Sequence, residues 1–459
     1  MRNIALYYFS GIDISQASFT DGVRIHFIDP YILQGSDWEK PGHGSSRVAW
    51  AVLEHSSKVA FSKVIDIAMP NLNKTNREAL RFEILNCELE IKNLDQALFT
   101  AQRTLIGQMS TTEIISLANR LFRFWAAYLK VFKIDQLICT VIPHSFTDYL
   151  LVDACVSLGI PVICPTASGM SRSCQYVEYG SSKILRRNVN DLAYDQIDDI
   201  DEFIQNNSPT NLGSSMGYTK EFRAVASNRV SEYKRFLLSF SDSATQILNY
   251  KVALTRKYDD LCRAKPIPDS FDNRNIIFLH YQPESSSTPQ GKKYADQKEL
   301  VKKVVSQSLE RDIIIIKEHP NQFIRCGIME STYDHIKNVL EFRTSGFYEY
   351  VTSIENCYLC PRSISATKLL NAGDSTVWSL CGTVSLQAFL KGIKLGELNT
   401  ISPYRGLIDH NDLSLTDRSS FLRDYFLSNT WHRFRRDNEV LVDNSKCVDL
   451  INNLINSLP

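Results

Sequence analysis

"IIIIKEHPNQF" runs from Ile313 to Phe323, and its four isoleucines stop abruptly at Lys317, Glu318, His319 and Pro320. A short run that is apolar on both faces reads as a strand of a parallel sheet with helices covering each side. In such sheets ligands collect beyond the carboxyl ends of the strands. The isoleucines are therefore scaffold, and the charged turn after them is a candidate site.

The same pattern recurs on either side. Ile276–Leu279 is a strand that ends in His280, Tyr281, Gln282, Pro283 and Glu284. Asp296 opens a helix bearing Leu300, Val301, Val304 and Val305. "CYLC" (357–360) is a short apolar strand, a helix lies around Ala366 to Leu370, and "STVWS" (375–379) is the next strand. It ends in Cys381-Gly382-Thr383-Val384-Ser385, which opens a further helix. Small and hydroxyl residues at a helix start offer free N–H groups and the positive end of the helix dipole, a phosphate-binding chemistry. The alternative is ordinary capping by Thr383 or Ser385. Lys317 and His319 would add cationic donors from the neighbouring loop. Pro320 fits the first position of a helix.

The first half shows the same alternation. Ser110 and Glu113 form a capping box for a helix to Lys130, with Ile114, Ala118, Leu121, Phe122, Trp125 and Leu129 on one face. "QLICTVI" (136–142), a helix from Pro143, and "PVICP" (161–165) make a βαβ unit. Phe146, Leu150, Ala154 and Leu158 form that helix's apolar face. His144 and Asp148 are four residues apart at its start, close enough on one helix face for Asp148 to orient the imidazole. A first-turn acidic residue serving the helix dipole is the plainer reading.

The boundaries follow. Residues 1–217 form an N-terminal Rossmann-like domain ending in a polar loop (206–217), and 218–271 form a helical connection. Residues 272–423 form a C-terminal Rossmann-like domain, and 424–459 a helical tail with an amphipathic stretch from Val442 to Leu458. "AKPIPDSFDN" (264–273), with two prolines, marks the break before the second domain.

Composition narrows the function. With 44% hydrophobic and 22% charged residues, the 459-residue chain is ordinary for a soluble globular protein. Lys+Arg and Asp+Glu balance at 51 each. That argues against nucleic-acid partners, which need a basic footprint. The 11 cysteines are scattered through core-like sequence. With no signal-like start and no long apolar run, they point to free thiols in a cytoplasmic protein. The single CxxC at Cys357 and Cys360 lacks the further ligands that zinc requires. No P-loop or GxGxxG is present.

Three segments in order carry a resemblance. They are Tyr281-Gln282-Pro283-Glu284 with Thr288, Pro289 and Gly291; Lys317-Glu318-His319-Pro320; and Gly382-Thr383, Ser385, Ala388 and Gly392. They resemble bacterial capsular and surface polysaccharide glycosyltransferases of the GT-B type. The likeness spans roughly residues 270–400, with a weaker match at Pro143, His144 and Asp148. It implies an α/β, GT-B-like fold, with two Rossmann-like domains facing across a cleft. It further implies a nucleotide-sugar donor held by the C-terminal domain through Tyr281, Gln282, Lys317, Glu318, Pro320, Gly382, Thr383, Ser385 and Gln387. The acceptor, an oligosaccharide or lipid-linked glycan, would lie on the N-terminal domain. No metal and no cofactor are expected, since the nucleotide sugar is itself substrate. The His-Pro element is similar to that of enzymes using CMP-activated sialic acid or Kdo, which favours a CMP-linked donor over a UDP-sugar. His319 would stabilise charge on the leaving phosphate. Glu284, Glu318, His144 and Asp148 remain alternatives for base or nucleophile. The likeness places the work in the cytoplasm and admits peripheral association with a membrane polysaccharide assembly complex.

One departure matters. Relatives usually carry Glu two residues after the position of Ser385, and here Gln387 stands. That keeps open a catalytically silent nucleotide-sugar-binding partner. A nucleotide-sugar epimerase of the same architecture is a third reading.

Overall fold

The computed structural model describes residues 1–7, 22–28, 72–104, 110–143, 146–166, 170, 173–187, 194–207, 241–268, 273–282, 287, 290–324, 343–371, 374–432, 435–436, 439–440 and 444–457. The chain divides into two compact units, Met1–Asp199 with Leu427–Pro459, and Ile200–Phe426. Each contains its own parallel sheet.

The first unit starts with strands β1 (Arg2–Tyr7) and β2 (Val23–Ile28). Helices α1 (Lys74–Leu85), α2 (Leu94–Thr104) and α3 (Thr111–Val131) follow, then β3 (Gln136–Cys139), α4 (Phe146–Ser157) and β4 (Val162–Pro165). Short strands β5 (Ser173–Cys174), β6 (Tyr176–Glu178) and β7 (Lys183–Ile184) complete this part. The sheet order is β2-β1-β3-β4-β6-β7, parallel through β4 and antiparallel beyond. The capping box forms as the sequence requires, with Glu113 accepting the Ser110 N–H and Ser110 Oγ accepting the Glu113 N–H. α4 differs from its one-faced reading. Every described side chain from Phe146 to Cys155 is buried, because α2 and α3 both pack on it. Its acidic residues go in with it. Asp153 accepts the Lys92 N–H at 3.1 Å, and burial raises its pKa.

α5 (Tyr194–Asn207) carries the chain into the second unit. Its helix runs two residues into the stretch read as loop; residues 208–217 lie outside the described ones. Of the connection read as helical, 218–240 and 269–271 are likewise outside. α6 (Ser241–Ala264) is a 24-residue helix. Then come β8 (Arg274–Phe278), α7 (Gln297–Gln307), β9 (Ile313–Lys317), α8 (Asn321–Ile324), α9 (Ser345–Ser353) and β10 (Cys357–Leu359). α10 (Ala366–Leu369), β11 (Ser375–Trp378), α11 (Val384–Leu390) and β12 (Lys394–Leu395) finish the sheet, and α12 (Leu415–Asn429) follows. The order is β10-β9-β8-β11-β12, parallel throughout. Counted along the sheet that is 3-2-1-4-5, a Rossmann half whose order reverses between β8 and β11. Alternation puts Ile314 and Ile316 with Ile277 and Leu279 on one face, under Tyr258, Val301, Val304 and Tyr348.

The last segment is not wholly helical. β13 (Trp431–His432) pairs antiparallel with β5, and β14 (Arg435–Arg436) pairs with β15 (Glu439–Val440) before α13 (Asn444–Asn456). Pairing with the free edge of β5, and the packing of Trp431 on Tyr176, override the local helical pattern. α13 lays Leu450, Ile451, Leu454 and Ile455 over Ile4, Leu6, Ile138 and Ile163 of the first sheet. Among the described residues no helix is long and apolar enough to cross a membrane.

Candidate functional site

β8, β9 and β11 lie side by side, so the loops after them emerge together at the switch point of the second sheet. His280, just past β8, joins them. Its Nε2 lies 3.1 Å from Ser379 Oγ and 3.4 Å from the Cys381 backbone N. An amide N–H can only donate, so this Nε2 accepts and the ring's proton sits on Nδ1. Ser379 Oγ in turn accepts the Gly382 N–H at 3.3 Å. His280 is buried, and that burial, with His319 as a second cause, pushes its pKa down to about 3. It is a neutral acceptor on which the β11 loop is folded. Gly382 keeps the approach close. A Cβ there would sit 3.0 Å from Ser379 Oγ and 3.4 Å from His280 Cε1.

A buried network fixes the other loop. Glu318 forms an ion pair with Arg343 (Nε–Oε2 2.9 Å), both side chains being 1% exposed. Tyr348 donates to Glu318 Oε2 at 2.7 Å, and the His319 N–H to Oε1 at 2.8 Å. Arg343 also donates to the His280 carbonyl and to Gln297 Oε1. One guanidinium thereby ties the end of β8 to the end of β9.

The residues singled out by sequence divide accordingly. His319 is half-buried, with its ring 6.2 Å from that of the buried Tyr281. Pro320 is exposed and immediately precedes α8. Thr383 is exposed, and Gly382 and Gln387 are half-buried. Thr383 makes no capping bond, so the plain capping reading does not hold for it. Ser385 is largely buried in the first turn of α11.

Three residues are turned away. The Glu318 carboxylate faces inward and is occupied by Arg343 and Tyr348, so it is withdrawn from donor contact or proton transfer. Gln282 is buried and donates to the Ala295 carbonyl at 2.5 Å, anchoring the turn before α7 instead of facing a ligand. Lys317 donates to the Pro361 carbonyl at 3.3 Å, past β10 and on the far side of β9 from the Gly382 turn. Burial lowers its pKa.

In the first unit Asp148 is buried in the first turn of α4 and accepts from Thr147 Oγ1 at 3.2 Å. His144 and Glu284 lie outside the described residues. Cys357 and Cys360 are buried free thiols, raised by burial to about 12 and about 11.

Sequence reading missed Arg343 and the anchoring role of His280. Arg343 is a lone basic residue ahead of a short helix. Its only signal is that a carboxylate after four buried isoleucines needs a cation. His280 stood in its motif beside the more conspicuous Tyr281.

Fold and site together define a protein of two Rossmann-like α/β units, with strand-end loops tied together at the second unit's switch point. No protein-family model matches the chain, and no curated protein matches it in sequence. Among solved structures, it is similar to UDP-GlcNAc 2-epimerase from Neisseria meningitidis, crystallised with UDP-GlcNAc bound. The identity is 11% over 100% of this chain and 99% of that one, with a TM-score of 0.18, too slight to bear on function.

Proposed function

We propose that the chain is a glycosyltransferase that moves a sugar from a nucleotide-activated donor to a surface or capsular polysaccharide acceptor. The favoured donor is a CMP-linked nonulosonic or ulosonic acid, with a UDP-sugar as the alternative. One observation carries the reading: the three motif-bearing loops meet at the switch point of a wholly parallel sheet, where nucleotides bind in this architecture. The donor belongs to the C-terminal domain (272–423) and an oligosaccharide or lipid-linked acceptor to the N-terminal one (1–217). The enzyme works in the cytoplasm, at the inner face of the membrane when its acceptor is lipid-linked.

The chemistry is cleavage of the bond between the anomeric carbon and the phosphate oxygen. Positive charge develops on the sugar and negative charge on the phosphate. The hydroxyls of Thr383 and Ser385 at the start of α11, with His319, stabilise the departing phosphate. The acceptor hydroxyl loses its proton to a base outside the Glu318 network. His144, Glu284 and Asp148 are the remaining choices.

A thermal-shift series with CMP, UDP, GDP and CDP tests the donor. A nucleotide at about 100 times its Kd stabilises the native state by about 2.7 kcal/mol. Mass spectrometry with the best donor, with and without acceptor glycan, follows. No shift with any nucleotide refutes the proposal, and interconversion of the donor without acceptor identifies an epimerase instead. A second reading, a silent nucleotide-sugar-binding partner, is favoured by Gln387 and by the withdrawal of Glu318. It requires binding with neither transfer nor donor hydrolysis.

A further inference from the structure

Beside the switch point, the ends of β11 and β12 and the loop after β12 line a shallow cleft that opens to solvent. Ser379, Ser385, Ser402 and Tyr404 contribute hydroxyl-bearing wall residues, and among the described residues Arg405 is the only charged one lining it. The loop is held firmly. Thr400 Oγ1 donates to the Leu380 carbonyl at 2.7 Å, the Ile401 N–H to the Gln290 carbonyl at 2.9 Å, and Tyr425 OH to the Pro403 carbonyl at 2.9 Å. Arg405 is half-buried. Its Nη1 donates to Asn399 Oδ1 at 3.2 Å, and no described carboxylate pairs with it. Most of the guanidinium's five donors are thus uncommitted.

A cation without an anion, at the edge of a hydroxyl-lined cleft, calls for an anionic ligand. A guanidinium presents a planar fork that matches a carboxylate. In the functional reading above, on which this inference rests, the donor phosphate is assigned to the Gly382–Ser385 turn. Ser385 and Arg405 line the same cleft, so the group at Arg405 is a second anion on the same molecule, a short way from the first. In a nonulosonic or ulosonic acid the carboxylate is bonded to the anomeric carbon itself, next to the phosphate ester oxygen. A neutral sugar has nothing to place there. We propose that Arg405 binds the carboxylate of an acidic donor sugar, and that this cleft selects acidic over neutral sugars.

The test uses the full chain and the variants Arg405→Gln and Arg405→Lys, with native melting first confirmed for each. Calorimetric titration compares CMP, CMP-N-acetylneuraminate, UMP and UDP. Saturation-transfer NMR follows free N-acetylneuraminate and free Kdo. The expected result is at least a tenfold loss of CMP-N-acetylneuraminate affinity in Arg405→Gln. CMP affinity stays within twofold, the free-sugar signal disappears, and Arg405→Lys recovers part of both. An equal loss for CMP and for the sugar nucleotide overturns the inference, because Arg405 would then read the phosphate. So does an Arg405-dependent preference for UDP over UMP, which makes the second anion a second phosphate. Unchanged affinities in Arg405→Gln also overturn it. If no nucleotide binds but a free acidic sugar does, and its signal is lost in Arg405→Gln, the glycosyltransferase reading fails and the cleft assignment stands. If neither nucleotides nor acidic sugars bind, both fail.

Discussion

His280→Gln separates an anchoring imidazole from an ordinary one through pH. In the native state His280 is neutral, its pKa pushed down to about 3 by burial, whereas in the unfolded chain it titrates near 6.5. Between these values the unfolded state carries one more proton than the native state. Stability from this group is therefore complete above about 6.5 and falls by about 1.4 kcal/mol per pH unit as the pH drops towards about 3. At neutral pH the variant forfeits a buried acceptor for the Cys381 N–H and the Ser379 hydroxyl, and should be less stable by about 1–3 kcal/mol. At pH 5 the wild type has lost about 2 kcal/mol that the variant never had, so the two converge. The assay is hydrogen exchange by mass spectrometry on peptides covering Arg274–Phe278, corrected for intrinsic rates at each pH from 4.5 to 7.5. It reads the second unit alone, where a whole-chain melt would mix two units. Parallel pH profiles for wild type and variant would refute the neutral, buried imidazole.

Arg343→Ala should destabilise the second unit by about 3–5 kcal/mol in the same exchange experiment, because it strands the Glu318 carboxylate in a dry site. Tyr348→Phe, removing one hydrogen bond to that carboxylate, should cost about 1.5–3 kcal/mol; a loss below about 0.5 kcal/mol in either case contradicts the burial described. Gly396→Ala should cost upwards of about 1–3 kcal/mol in urea denaturation, since the added Cβ would lie 2.2 Å from the Trp378 ring. His319→Ala should leave stability nearly unchanged and slow transfer by a factor corresponding to about 2.7–4 kcal/mol, measured as kcat/KM with the best donor; wild-type turnover would remove His319 from the chemistry. Thr383→Val and Ser385→Ala should weaken donor binding more than they lower unfolding free energy, the reverse of what losing a helix cap gives.

The isoleucine strand is specified by its own local sequence. A parallel strand buried on both faces needs continuous branched apolar residues, and the helices between strands need amphipathic periods. Both requirements are written in windows of ten residues. Ile313–Ile316, Ile276–Phe278, the Ser110–Glu113 box and the Gly382–Ser385 turn are therefore legible without coordinates. So is the expectation that their carboxyl ends carry the site, because that follows from strand polarity alone. The tail after Arg423 was not legible, since β13 exists only where β5 offers an unpaired edge.

Side-chain direction was decided by tertiary structure alone. Lys317, Glu318 and His319 are consecutive, and nothing in their order tells which one faces a ligand. Glu318 turns inward because Arg343 and Tyr348, 25 and 30 residues further on, arrive beneath it and offset the desolvation of its charge. Lys317 turns to Pro361 because β10 lies on its side of the sheet. His280 becomes an anchor because strand order sets β8 directly beside β11, some hundred residues away in the chain. Sequence determines which residues can form strands, caps and turns, since those are short-range choices. Which polar groups are used up inside, and which are left for a ligand, depends on partners brought together only by the sheet.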